Sequence, residues 1–201
     1  QFDIAKSILE NYSHYISEGM LPNRFPDDSE IPDYNTVDAT MWYFEAISNY
    51  FKLTQDLPFL KEIYSKLENI IDHHLKGTRF HIKCDPNDGL LFAGQEGCQL
   101  TWMDAKIGNY VVTPRIGKTI EVNALWYNAI KNMENLKNKT IADTPNLAEK
   151  SARLKIASQK TKPAFSSVSD NGAYPIGAKI VKRKACSYKG NRDIQLLRQI
   201  T

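Results

Sequence analysis

The sequence predicts an all-α fold made of antiparallel helical hairpins. Four segments of this 201-residue chain repeat apolar side chains at intervals of three and four, which is the spacing of one helix face. Their connections alternate in length: residues 20–35 and 78–119 are long loops with proline, glycine and charged residues, whereas residues 52–57 form a short turn. Alternate connections of antiparallel helices lie at the same end, so the two long loops are expected to share one rim.

The first two predicted helices flank the first long loop. One covers residues 2–17 and ends where Gly19 can adopt a left-handed C-cap. Prolines exclude regular structure from the loop that follows. Thr36 is a candidate N-cap for the second helix, which extends to about residue 53 and includes Trp42.

The third predicted helix opens at Asp56 and ends before Gly77, with an apolar stripe along its length. After this helix the three- and four-residue spacing of apolar side chains stops. Two strand-like runs, residues 80–83 and 90–93, surround a turn signal at residues 86–89. These runs are the only strand signals that we identify in the second long loop.

The last segment with a clear helical spacing of apolar residues predicts a fourth helix at about residues 120–137. Residues 140–201 contain twelve basic and four acidic residues, so they carry a net charge of +8 and leave −5 for residues 1–139. We therefore divide the chain into a helical domain, residues 1–139, and a basic tail, residues 140–201, for which we expect poor order. The expected buried positions of the fourth helix are Ala124, Leu125, Tyr127, Ile130 and Met133.

Composition narrows the class of protein. Three cysteines without C-x-x-C spacing indicate neither a disulfide framework nor a zinc site, and they fit a reducing cytoplasm. No apolar run approaches membrane-spanning length or forms a signal-peptide core. The basic cluster at residues 181–184 is interpreted as a charge run and not as a nucleic-acid site. Because Gln1 already lies inside a predicted helix, we expect the chain to be a fragment of a longer protein.

The strongest candidate for chemistry is the segment Gln99-Leu100-Thr101-Trp102-Met103-Asp104-Ala105-Lys106. It places an acid, Asp104, two residues after a tryptophan and two residues before a lysine. A second motif follows, Thr113-Pro114-Arg115-Ile116-Gly117-Lys118, and it leads into Glu121. An isolated acid in a turn is more often a helix cap. Carboxylate, aromatic and cationic groups concentrated on loops are more typical of a functional site, because loops on a rigid scaffold commonly carry function.

The first loop and the second helix add residues of the same chemical kind. Asp38 lies in the first turn of the helix, where a carboxylate also complements the helix dipole, and Trp42 follows one turn later on the same face. The four histidines lie away from the acid-rich loops, and no spacing indicates a nucleophilic triad, a phosphate loop or a metal site. We therefore expect no metal and no cofactor. Carboxylates, planar donors and aromatic rings are together typical of a carbohydrate site.

Four ordered motifs resemble the amylo-α-1,6-glucosidase domain of glycogen debranching enzymes, most closely the prokaryotic members. The motifs are Leu21-Pro22-Asn23-Arg24-Phe25-Pro26-Asp27, Tyr34-Asn35-Thr36-Val37-Asp38-Ala39-Thr40-Met41-Trp42, Leu100-Thr101-Trp102-Met103-Asp104-Ala105-Lys106, and the segment from Thr113-Pro114-Arg115 through Gly117-Lys118 to Glu121-Val122-Asn123-Ala124-Leu125-Trp126-Tyr127-Asn128. The resemblance covers about residues 1–137, and after Thr140 the sequence departs from the family pattern. It implies an (α/α)6 toroid, of which this chain would form a part, with the site in a mouth made by loops at one end.

The resemblance also implies a reaction. Members of the family hydrolyse the α-1,6-linked glucosyl stub at a branch point of glycogen or a limit dextrin, with inversion. One carboxylic acid protonates the leaving oxygen while a carboxylate activates water. The general acid maps onto Asp104, which Trp102 and Met103 are expected to shield from water, and the general base is expected from a C-terminal segment. The residues expected to bind the branched α-glucan are Arg24, Asn35, Asp38, Trp42, Trp102, Lys106, Arg115, Lys118, Glu121 and Asn123.

Two other functions fit the same residues. Without a general base, the chain would be a non-catalytic α-glucan-binding fragment that stacks sugar on Trp42 and Trp102. A related toroid hydrolase of the glucoamylase or trehalase type would share the chemistry and cleave another linkage. A second carboxylate opposite Asp104 distinguishes catalysis from binding, and Glu121 and Asp38 are the nearest substitutes for it within the chain.

Overall fold

The computed structural model describes residues 1–25 and 31–140, and the predicted basic tail with its cluster at residues 181–184 lies outside them, apart from Thr140. The described chain is mostly helical, as predicted, with two small sheets. Within it no helix is long and apolar enough to cross a membrane. The helices are α1 (Phe2–His14), α2 (Asp38–Thr54), α3 (Leu57–Lys76) and α4 (Ile120–Thr140). The strands are β1 (Lys83–Cys84), β2 (Leu91–Phe92), β3 (Lys106–Ile107) and β4 (Tyr110–Val111); β1 pairs with β2 and β3 with β4, both antiparallel.

The helices pack around an apolar core to which each of them contributes. The Tyr43 hydroxyl of α2 donates a hydrogen bond to the Leu9 carbonyl of α1 at 2.6 Å, so these two helices are joined through a buried polar contact. Burial of this apolar surface is the main stabilising contribution to the fold. The largest fully buried side chains are Trp126, Phe44, Met20, Met41, Ile47, Leu60, Ile63, Leu67, Ile70, Ile82, Leu91 and Ile130.

A polar cluster joins α2 to α4. The amide groups of Asn128 and Asn132 donate hydrogen bonds to the Glu45 carboxylate at 2.7 and 3.0 Å. These hydrogen bonds hold the pKa of the Glu45 carboxyl below its usual range, and the one from Asn128 has the largest effect. The cluster therefore fixes the register of α4 on α2 in addition to the apolar contacts.

The ends of α3 agree with the sequence prediction, whereas the C-terminal end of α1 differs from it. Asp56 caps α3 as predicted, because its carboxylate accepts a hydrogen bond from the Phe59 N–H at 3.1 Å. In contrast, α1 ends at His14, and its C-cap is Tyr15 instead of the predicted Gly19. Gly19 has φ +73 in the turn beyond, and a Cβ there would lie 2.4 Å from the Cβ of His73. Glycine is thus required by a close approach between the turn and α3.

The predicted buried face of α4 is confirmed at Ile130 and Met133 and differs in the N-terminal half of the helix. Ala124 is exposed, and Trp126, which was not among the expected positions, is fully buried. Trp126 stacks on His74 of α3 with ring centroids 6.0 Å apart, and its Nε1–H donates to the Gly89 carbonyl at 3.2 Å. Because the largest side chain of the helix takes the centre of the interface, the buried stripe follows its spacing. That stripe is Val122, Trp126, Ala129, Ile130, Met133 and Leu136.

The two long loops meet at the N-terminal end of α2, as their alternation predicts. The Leu21 N–H of the first loop donates to the buried Thr40 hydroxyl at 3.1 Å. The Val37 N–H, at the start of α2, donates to the Leu100 carbonyl of the second loop at 2.9 Å. Both loops are therefore anchored to the first turn of one buried helix.

Candidate functional site

The carboxylate of Asp38 joins the start of α2 to the second long loop. Its Oδ1 accepts hydrogen bonds from the Thr36 hydroxyl and the Ala39 N–H, both at 2.8 Å, and its Oδ2 accepts one from the Trp102 N–H at 2.8 Å. A first-turn carboxylate is favoured by the helix dipole, which explains part of its placement. The contact to Trp102 is tertiary, since 64 residues separate the two.

Asp104 lies two residues beyond this contact and faces solvent. In the part of the chain that the structure describes, its carboxylate has neither a hydrogen bond nor an ion pair. Trp102 is 65% exposed and Met103 is half-buried. Because Asp104 and Trp102 are both exposed, the described residues do not give Asp104 the shielding from water that the resemblance implies. The exposed carboxyl group is accessible to a ligand.

Arg115 contacts the same segment from the other side. Its Nη1–H donates to the Met103 sulfur at 2.9 Å, and its guanidinium forms an ion pair with Glu121 at the start of α4. Burial lowers the pKa of the Arg115 guanidinium, and the charge of Asp38 opposes that lowering. The second loop thus brings a largely buried cation next to both Asp38 and the residue that precedes Asp104.

Lys118 does not face the rim as a free cation, although the sequence places it among the sugar-binding residues. Its ammonium group binds the carboxylates of Asp85 and Asp88 in the β1–β2 turn at 2.6 and 2.7 Å. The hydrogen bond from Lys118 holds the pKa of the Asp85 carboxyl below its usual range. These contacts give Lys118 a structural role in fixing the turn.

Asn123 is also placed differently from the expectation. It is 2% exposed, and its side-chain amide accepts from the Leu91 N–H at 2.6 Å and donates to the Leu91 carbonyl at 3.0 Å. The amide also donates to the Thr119 carbonyl at 2.9 Å. Because these bonds use the group inside the core, Asn123 holds β2 to α4 and is not available to a sugar.

The remaining predicted residues lie at the surface. Arg24 forms an exposed ion pair with Asp33 at 2.9 Å, and the Asn35 side chain accepts a hydrogen bond from Asn23 at 3.2 Å. Trp42 is 55% exposed. The Lys106 ammonium donates to the Gly97 carbonyl at 3.1 Å. These groups are accessible to a ligand, and the two indole faces of Trp42 and Trp102 are open for stacking.

Sequence reasoning missed the acidic partners of the cationic residues. Asp33, Asp85 and Asp88 pair with Arg24 and Lys118, yet their motifs were interpreted only as loops and turns. The sequence signal that could have indicated these ion pairs was the group of acidic residues beside each turn. Among residues 1–25 and 31–140, no group of three or more His, Cys, Asp and Glu side chains is arranged to hold a metal ion.

Comparison with known proteins shows similarity to a family, to a curated relative and to solved structures. Residues 1–196 match the family described as Amylo-alpha-1,6-glucosidase, a range that extends beyond the motifs ending near residue 137. The chain is 27% identical over 194 aligned residues to the Glycogen debranching enzyme of Saccharomyces cerevisiae. That alignment covers 69% of this chain and 12% of the yeast protein, so the chain spans only a small part of its relative. A crystal structure of a GH78 family rhamnosidase of Bacillus sp. GL1 has a similar fold, with a TM-score of 0.58 and 15% identity over 84% of this chain and 15% of that chain.

Proposed function

The chain belongs to the amylo-alpha-1,6-glucosidase family, and from this membership we propose that it forms part of a glycoside hydrolase of glycogen catabolism. The proposed reaction removes the α-1,6-linked glucosyl stub from a branch point of glycogen or a limit dextrin. The observation that carries the proposal is the hydrogen bond from Trp102 to Asp38, because it brings two of the four family motifs onto one rim. The name of the yeast relative supports a branched α-glucan as the substrate.

In the proposed mechanism Asp104 is the general acid. It donates its proton to the glycosidic oxygen as the bond from that oxygen to C1 breaks. A second carboxylate takes a proton from water, which attacks C1 from the opposite face and releases β-glucose. The two carboxyl groups of an inverting glycosidase are roughly 6.5–9.5 Å apart, a separation that leaves room for the water.

The second carboxylate is proposed to lie outside the described residues. Asp38 accepts hydrogen bonds from three donors, and Glu121 is paired with Arg115. A base has to accept a proton from water, and both of these groups already bind positive or hydrogen-bonding partners. The resemblance likewise expects the base from a C-terminal segment.

We further propose that the four helices belong to an (α/α)6 toroid whose other parts complete the mouth. The antiparallel helical hairpins and the fold similarity to the rhamnosidase support this architecture. In such a mouth, Arg24, Asn35, Trp42, Trp102 and Lys106 would contact sugar, with the exposed indoles providing stacking faces. The surrounding helices would supply the exclusion of water that Trp102 alone does not give Asp104.

The test is glucose release from a phosphorylase limit dextrin by the full-length protein. Asp104→Asn is expected to lower kcat by about 10²–10⁴-fold, the usual contribution of a general acid. Glu62→Gln removes an exposed carboxylate on α3 and serves as the matched control with unchanged kcat. Retained activity in Asp104→Asn would remove the acid assignment, and α-glucose as the first product would exclude inversion.

A second candidate function is binding of an α-glucan without cleavage. The 55% and 65% exposure of Trp42 and Trp102 favours it, because large aromatic rings open to solvent are typical of sugar-stacking surfaces. Binding of the dextrin without glucose release, together with loss of binding in Trp42→Ala, would support this function over hydrolysis. We also propose a cytoplasmic location, from the sequence pattern of three cysteines without C-x-x-C spacing.

A further inference from the structure

We propose that Asp38 and Arg115 are positioning residues for the general acid, in place of the sugar-binding roles that their motifs imply. Asp38 holds the backbone of Trp102 and Arg115 holds the side chain of Met103, the two residues immediately before Asp104. This inference rests on the proposed function, because it gives these contacts a purpose in proton donation. It concerns how the acid is held and not which carbohydrate is cleaved.

The hydrogen bonds of Asp38 leave little of its carboxylate for a substrate. An ionised carboxylate has two oxygens with about four acceptor positions in total. Three donors occupy them: the Thr36 hydroxyl, the Ala39 N–H and the Trp102 N–H. All three are at 2.8 Å, a normal length for hydrogen bonds to a carboxylate.

The segment before Asp104 is held at successive positions. The Leu100 carbonyl accepts from the Val37 N–H at 2.9 Å, and Leu100 itself is 6% exposed. The Trp102 N–H then binds Asp38, and the Met103 sulfur accepts from Arg115. Asp104 comes next and has no partner of its own in residues 1–25 and 31–140. On its other side the Ala105 carbonyl accepts from the Gln99 side chain and from the Val112 N–H, each at 3.1 Å. The position of Asp104 therefore depends on its two neighbouring backbone segments, and Asp38 and Arg115 hold the one that precedes it.

The second anchor is itself fixed by burial. The Arg115 side chain is only 13% exposed, and its ion pair with Glu121 ties it to the start of α4. Its Nε lies buried without a hydrogen-bond acceptor in the described part of the chain. A cation that is packed this closely is a rigid support, and a sulfur atom is a weak acceptor whose main use here is to locate Met103.

Proton donation depends strongly on geometry. A displacement of about 1 Å in a catalytic group can cost on the order of 10²-fold in rate. Loss of either anchor should therefore lower the rate of the step that needs the acid. A substrate whose leaving group departs without a proton should be much less affected. This difference separates a positioning residue from a ligand of the transferred glucosyl unit, whose loss affects both substrates. A ligand of the leaving glucan would also spare the fluoride, but its loss would raise KM for dextrin.

The kinetic test compares limit dextrin with α-glucosyl fluoride, since fluoride leaves without protonation. Asp38→Asn keeps the shape of the side chain. Because two donors face Oδ1 and one faces Oδ2, the asparagine oxygen is expected at the Oδ1 position, with its NH2 against the Trp102 N–H. We expect kcat on dextrin to fall about 10–100-fold with KM within about twofold, and kcat/KM on the fluoride to stay within about threefold.

Two further variants complete the kinetic comparison. Met103→Leu removes the sulfur acceptor of Arg115 at nearly constant volume and is expected to show the same split between substrates, so the test does not depend on the folding of one variant. Glu62→Gln is the control with both activities unchanged. Equal losses on dextrin and on the fluoride in Asp38→Asn would overturn the proposal and return Asp38 to sugar binding.

A measurement without substrate separates this proposal from the proposed function. Hydrogen exchange of the Trp102 amide is expected to be about tenfold faster in Asp38→Asn than in the wild type, with helix amides of α3 unchanged. Unchanged exchange at Trp102 overturns the positioning role whatever the activity. If the wild type releases neither glucose from dextrin nor fluoride, the proposed function fails, and the exchange result still decides whether Asp38 holds the segment.

Discussion

The side-chain amide of Asn123 in α4 brackets Leu91 in β2. Its oxygen accepts from the Leu91 N–H at 2.6 Å, and its nitrogen donates to the Leu91 carbonyl at 3.0 Å. Asn123 therefore replaces a neighbouring strand on the open side of β2, since a side-chain amide offers the same donor and acceptor as a backbone peptide group. The strand is thus held between β1 and a helix, and it carries the loop that leads towards Asp104.

Replacement of Asn123 by alanine is expected to lower the free energy of unfolding by about 2–3 kcal/mol, because it leaves the buried Leu91 N–H and carbonyl without partners. Urea unfolding followed by circular dichroism measures the change. Asn135→Ala is the matched control on the exposed side of α4, with an expected change within about 0.5 kcal/mol. Equal effects of the two substitutions would contradict the bracketing role.

The spacing of apolar residues predicts much of the fold, and the elements that it does not predict were missed for physical reasons. The stripe of α3 and the Asp56 cap were predicted because both depend on near neighbours in sequence. The β3–β4 hairpin was not predicted, since each strand has two residues and its side chains are mostly exposed. The dipeptide Gly108-Asn109 between the strands was the available signal, because glycine followed by asparagine favours a two-residue hairpin turn.

The sequence predicted the kinds of side chain at the candidate site better than it predicted their individual contacts. The motifs indicate which side chains are polar loop residues, and the two loops do converge at the start of α2. What they do not indicate is which polar groups are already satisfied by the protein. Asn123 and Lys118 are engaged by Leu91 and by the β1–β2 turn, partners that lie about 30 residues away and that no local spacing specifies.

Lys118→Gln is expected to lower stability while leaving KM for dextrin within about twofold, because Lys118 binds acids of the protein and not the substrate. The folded-state pKa of the Asp85 carboxyl is below its unfolded value, so its contribution is present above about pH 3.8 and is lost as the pH falls through the folded value. The variant should lose less stability than the wild type over that acidic interval.

Thermal unfolding at several pH values and steady-state kinetics provide the two measurements for Lys118→Gln. Lys76→Gln, an exposed lysine at the end of α3, controls for the loss of one positive charge. A tenfold rise in KM with unchanged melting temperature would instead make Lys118 a sugar ligand, as its motif implies.

Gly19→Ala is expected to destabilise the fold more than Gly97→Ala. Both glycines have nearly the same left-handed backbone, with φ +73 and φ +75, so the intrinsic cost of alanine is about 1–2 kcal/mol at each. A Cβ on Gly97 meets nothing within 4 Å, whereas one on Gly19 would lie 2.4 Å from the Cβ of His73. The overlap should add about 1–3 kcal/mol at Gly19, and chemical denaturation of both variants measures the difference. Equal costs would show that the turn can move away from α3.

His74 is expected to make stability depend on pH between about 6.5 and 4. The ring is fully buried, and this burial lowers the pKa of His74 to about 4 from 6.5. Its Nδ1 lies 2.8 Å from the Ile70 carbonyl, and the ring stacks on Trp126. Because the unfolded chain binds the proton first, the contribution is complete above about pH 6.5 and is lost as the pH falls towards 4, by roughly 3 kcal/mol in all.

His74→Gln should remove this part of the pH dependence, whereas His14→Gln, which replaces an exposed imidazole on α1, should leave it unchanged. The free energy of unfolding in urea, measured at half-unit steps of pH from 7 to 4, gives the slope for each protein. The wild type and His14→Gln are expected to lose stability in parallel over this interval, and His74→Gln to lose less. A common slope for all three proteins would mean that His74 keeps an ordinary pKa, and that the stacked position against Trp126 tolerates an imidazolium.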